Sequence, residues 1–75
     1  MLEKLILNTV DFRYRVEDEN RLLIYNVRTS EMIFVIGKVK KYILSKLNNS
    51  SESITLAKEY ISYLLDKKIL LHSER

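Results

Sequence analysis

Cysteine and proline are absent from this chain, glycine occurs once, and histidine once. Without cysteine no disulfide and no thiolate metal site can staple the fold. A single glycine excludes a glycine-rich phosphate loop, and the lack of proline excludes a proline-rich linker. The lone histidine, His72, has no second histidine or cysteine as a ligand partner and reads as a solvated residue near the C-terminus. The apolar run in MLEKLILN is far too short for a signal h-region or a membrane span. A cytoplasmic protein is therefore expected, with no membrane partner. No internal repeat or low-complexity segment is present.

What remains is 75 residues, 47% of them apolar, with 13 basic and 10 acidic side chains and a formal net charge of +3. That length is one domain. A domain this small buries only about 60% of its unfolded surface, so it is marginally stable. The charges are interspersed, whereas a nucleic-acid binder concentrates them.

Three apolar runs lie between Phe12 and Ile36, separated by Asp18–Glu19–Asn20 and by Arg28–Thr29–Ser30. In the first, Phe12, Tyr14 and Val16 alternate with Arg13, Arg15 and Glu17, the period of a half-buried strand. Arg21 to Val27 and Met32 to Ile36 are apolar on both faces, the former as expected of a central strand. The second gap holds no Gly, so its turn is expected to exceed two residues. Residues 1–11 read as an N-terminal arm or short strand, with Leu2, Leu5, Ile6 and Leu7 as its apolar content.

After Gly37 the period changes. Lys38 to Leu47 places Val39, Ile43, Leu44 and Leu47 on one helical face. Ser50, Ser51 or Ser53 is the expected N-cap of a second helix running from Ser53 to Lys67. On that helix Ile54, Ala57, Ile61, Leu64 and Leu65 form one apolar stripe and Leu56, Tyr60 and Tyr63 a second. The combined arc is roughly 200°, against the ~100° typical of a helix resting on a core. Either two sides are buried or one stripe is kept for a partner. Ile69, Leu70 and Leu71 form an apolar tail that returns to the sheet, and 72–75 is read as a terminal tail.

No catalytic constellation emerges. Asp18 and Glu19 are adjacent on a turn and point apart, so they read as turn residues rather than an acid–base pair. The basic run Lys38–Lys41 reads as the solvated face of a helix, and it lacks the interleaved aromatics of a single-strand binder. No zinc, P-loop or Rossmann spacing exists. No enzyme activity, no cofactor and no metal site are expected. The remaining resource is a sheet edge. Met32 to Ile36 carries no Pro and no internal charge, the opposite of a guarded edge. Such an edge beside a spare apolar stripe suits strand addition by an extended peptide.

The succession RLLIYNVRTSEMIFVI, an amphipathic helix and YISYLLDKKILL resembles the peptide recognition elements of ribosomal peptide natural-product pathways, relatives of the small chaperone of pyrroloquinoline quinone biosynthesis. It is also similar to the region that precedes the catalytic barrel in radical-SAM peptide maturases. The resemblance covers Phe12 to Leu71. It implies an α+β, winged-helix-like domain over 12–71: a three-stranded antiparallel sheet followed by helices. It further implies that the leader of a precursor peptide adds to the third strand, at Met32, Ile33, Phe34, Val35 and Ile36. The last helix would supply the groove wall through Leu56, Tyr60, Tyr63 and Lys67, with Lys58 as a flanking charge. A peptide-modifying enzyme, of the radical-SAM type among others, is the implied second partner. The short gap between Leu47 and Ser53 leaves no room for the full middle helix of longer family members, so two main helices are expected. Two other readings stay open. One is a winged-helix nucleic-acid binder, against which no basic recognition helix is evident. The other is a module that pairs with itself as a homodimer through the same edge or the apolar arm near Leu5.

Overall fold

The computed structural model describes residues 5–48 and 54–73. Seven elements follow in order: β1 (Leu5–Leu7), β2 (Phe12–Val16), β3 (Arg21–Asn26), β4 (Met32–Ile36), α1 (Gly37–Leu47), α2 (Lys58–Asp66) and β5 (Leu70–His72). The fold is α+β. Strands β2, β3 and β4 form an antiparallel sheet with β3 in the centre, and β1 pairs antiparallel with β5 in a second, two-stranded sheet. The stretch 1–11 thus contains a strand, and the apolar tail returns to β1 rather than to the larger sheet.

The alternating pattern dictates which side of each strand is covered. Phe12, Leu22 and Ile24 point inward to a core completed by Ile43 of α1, Leu64 of α2, and Ile69 and Leu70. On β4 the inward residues Ile33 and Val35 are half-buried, while Met32, Phe34 and Ile36 face outward. The expected helical face of α1 packs on this core, joined by Tyr42, whose burial raises its phenol pKa. Lys46 is half-buried, and its ammonium donates to the Leu5 carbonyl at 2.8 Å, tying α1 to β1.

Both hairpin turns are closed by a short polar side chain. Asp18 accepts from the backbone N–H groups of Asn20 and Arg21 at 2.8 and 2.9 Å and from the Arg21 guanidinium at 3.0 Å. These bonds, the Asn20 N–H first, hold its carboxyl below the ordinary carboxylate range. Asn26 accepts from Arg28 and Thr29 at 2.8 and 3.2 Å, and Asn26 N–H donates to Glu31 at 2.8 Å across the four-residue turn 27–30. The second turn is therefore longer than two residues, as its lack of glycine implied. Ser30 supplies the left-handed residue at φ 66°.

The second helix departs from its sequence reading. It starts at Lys58, with Ala57 as N-cap and no side-chain cap. Residues 54–57 are not helical, and their burial alternates half-buried, exposed, half-buried, exposed. That is a period of two, and β-branched Ile54 and Thr55 favour an extended chain. Ile54, Leu56 and Ala57 consequently leave the helical stripes to which the sequence assigned them. Ser50, Ser51 and Ser53 lie outside the described residues, but the cap of α2 is none of them. At its other end α2 closes in a Schellman arrangement: Ile69 N–H donates to the Leu64 carbonyl at 2.9 Å and Lys68 N–H to Leu65 at 3.0 Å. Lys68 takes the left-handed position, φ 68°, and the apolar pair Leu64 and Ile69 is buried beneath it.

Candidate functional site

The ladder of the larger sheet decides which backbone groups of β4 are committed. Val27 N–H donates to Asp11, Glu17 N–H to Arg21, and Asn26 N–H to Glu31. In an antiparallel pair, hydrogen-bonded and non-bonded positions alternate. With Ile24 opposite Ile33 and Leu22 opposite Val35, Ile33 and Val35 direct their backbone groups to β3. Met32, Phe34 and Ile36 direct theirs away from it, at an edge with no further strand among the described residues. These are also the residues with exposed side chains, at 60%, 50% and 62%.

Beside this edge runs a groove of 730 Å³, lined by Phe34, Val35 and Ile36 of β4, Gly37, Lys38 and Val39 of α1, and Glu59, Tyr60, Tyr63 and Leu64 of α2. It exists because α2 packs through Leu64 and β5 on the core and stands off from β4. Its Tyr60 and Tyr63 remain 52% and 44% exposed. The wide apolar arc of the sequence thus resolves into one buried stripe and one stripe facing the groove. At one end β4 passes directly into α1. Gly37 makes that change of direction with φ 61°, and a Cβ there would meet nothing within 4 Å. The requirement for glycine comes from the backbone angle, not from crowding.

The groove gathers half of the residues the sequence nominated: Phe34, Val35, Ile36, Tyr60 and Tyr63. Met32 lies at the start of the same edge. Ile33 is turned inward against the core. Leu56 sits before α2, half-buried against the core, and is not on the helix. Lys58 is exposed at the first position of α2. Lys67 follows α2, 3.5 Å from Glu31 and with its ammonium 5.9 Å above the Tyr63 ring. Sequence reasoning missed Gly37, Lys38, Val39, Glu59 and Leu64 as lining residues. The signal for the first three was the immediate change of period at Gly37, which places the start of α1 against the end of β4.

The electrostatics are mixed. Lys38 and Glu59 are exposed on opposite walls, and the Arg21 guanidinium lies 4.9 Å over the Phe34 ring. Among the described residues no group of three or more His, Cys, Asp or Glu is placed to hold a metal ion, and no helix is long and apolar enough to cross a membrane. The site offers backbone donors and acceptors in a row beside an aromatic wall, which is chemistry for holding an extended chain. No family model, curated protein or solved structure matches this chain.

Proposed function

We propose that this chain binds the leader segment of a ribosomally made precursor peptide by strand addition to β4 and presents that peptide to a separate modifying enzyme, itself doing no chemistry. The observation that carries this reading is the unguarded β4 edge lying beside an apolar groove walled by Tyr60 and Tyr63. Main-chain bonds to Met32, Phe34 and Ile36 supply affinity that tolerates sequence variation, and the aromatic wall supplies selectivity. Lys38, Lys58, Lys67 and Lys68 can meet leader carboxylates, but exposed pairs contribute only about 0–1 kcal/mol each.

The test is a titration with the synthetic leader of a short precursor gene neighbouring this one, followed by amide NMR. Shifts are expected at Met32, Phe34 and Ile36 and along Tyr60 to Tyr63. Phe34→Asp and Tyr60→Asp should each weaken binding about tenfold or more, roughly 1.4 kcal/mol. Both side chains are about half exposed, so the fold should persist. Unchanged affinity in both folded variants would refute the site.

A further inference from the structure

The two edges of the larger sheet are treated differently. β2 carries Arg13 and Arg15, charges of the kind that discourage edge-to-edge pairing, while β4 carries none. We infer that β4 pairs antiparallel with β4 of a second copy across a two-fold axis at Phe34. This inference does not depend on peptide binding, and because it uses the same outward backbone groups of β4, a leader and a second copy would compete for them.

The register follows from the ladder. A two-fold contact places residue i against j and j against i. Only pairing centred on Phe34 engages every outward-directed backbone position: Phe34 meets the partner's Phe34, and Met32 meets the partner's Ile36. Centring on Ile33 leaves Ile36 without an outward-directed counterpart, and centring on Val35 does the same to Met32. The Phe34-centred register also matches the ends. Glu31 falls opposite the partner's Gly37 and next to the partner's Lys38, and the symmetry repeats this opposite-charge approach. Between these ends β4 itself carries no charge; the nearest is the Arg21 guanidinium over Phe34, which Asp18 of the same copy pairs at 3.0 Å. On the outward face the rows Met32, Phe34 and Ile36 of the two copies join into one apolar ribbon. Each β4 then occupies the place beside Tyr60 and Tyr63 of the other copy.

Sedimentation velocity on the intact chain across a concentration series, with amide hydrogen exchange on the same samples and no peptide added, tests this. The mass should double with concentration. The amides of Met32, Phe34 and Ile36 should gain protection as it does, while those of Ile33 and Val35 are protected throughout. Phe34→Lys and Phe34→Glu should each be monomeric alone, because like charges would stand directly opposite. An equimolar mixture of the two should recover the dimer. Amide spectra confirm that each variant is folded. A mass independent of concentration overturns the proposal, as does a dimer that Phe34→Lys leaves intact or a mixture that stays monomeric. The wild-type series decides the matter even if a variant fails to fold. Peptide binding by a strict monomer would refute the dimer and leave the peptide reading standing.

Discussion

Asn8 is the one polar side chain buried among the described residues, at 4% exposure, and all of its hydrogen-bonding capacity is used. Its carbonyl oxygen accepts from Val10 and Asp11 N–H at 3.0 Å each, and its amide donates to the Lys68 carbonyl at 3.0 Å and the Asp11 carboxylate at 3.2 Å. Its backbone N–H donates to Ile69 at 2.9 Å, and its backbone carbonyl accepts from the Tyr14 hydroxyl at 2.8 Å. The Asn8 amide, followed by Arg28, holds the Asp11 carboxyl below its ordinary range. One side chain therefore locks the β1–β2 turn to the α2–β5 turn. Asn8→Ala leaves donors and an acceptor without partners and should cost about 2–3 kcal/mol in urea unfolding. Tyr14 gives a second expectation. Burial pushes its phenol up to about 12, above the ordinary value of about 10. Its folded pKa is raised, so its contribution is complete below pH ~10 and is lost as pH rises through about 12. Stability against urea should fall across that window, and Tyr14→Phe should flatten the fall. Tyr42, shifted in the same direction, keeps part of it.

At the scale of elements, the three strands of the larger sheet were legible because an apolar run bounded by polar turn residues is a local signal. Phe12–Val16 and Met32–Ile36 begin and end where their apolar periods do. The start of α2 was not, because Ile54 and Ala57 satisfy a helical stripe on paper while Ile54 and Leu56 equally satisfy a period of two. Spacing alone does not separate the two patterns. Packing of Leu56 on the core and the β-branched pair Ile54 and Thr55 resolve it as extended. One consequence is a helix entered through Ala57, at φ −61° and ψ 149°, with no side-chain cap. That geometry suits a capping residue, and a serine hydroxyl there can accept from the N–H groups of the first turn. Ala57→Ser should therefore raise stability by about 1 kcal/mol, seen as a higher urea midpoint with an unchanged slope. No gain would mean that the first-turn N–H groups of α2 already have other acceptors.

At the scale of the molecule, what the sequence could not disclose is closure. The candidate groove was half legible, since an edge strand and an apolar stripe each leave a local signature. The gap between them depends on where α2 is held, and that is set by β5 returning to β1. Leu5 lies opposite His72 and Leu7 opposite Leu70, and Asn8 reaches Lys68 across the same seam. No local pattern encodes contacts at that separation. Ile69 stands at the centre of the closure. It is fully buried, it follows the left-handed Lys68, and its backbone bonds both to Leu64 and to Asn8. A domain of this size has a total stability on the order of 5–10 kcal/mol. Replacing a buried Ile by Ala costs about 2–5 kcal/mol, a large share of it. Ile69→Ala should thus lower the urea midpoint sharply and release α2, with the amides of β1 and β5 losing protection together with those of β3. Ile36→Ala, on the exposed edge, should shift the midpoint little. If Ile69→Ala unprotects only β1 and β5 while β3 keeps its full protection, the closure is a separate, weaker unit, and the groove wall is not held by the main core.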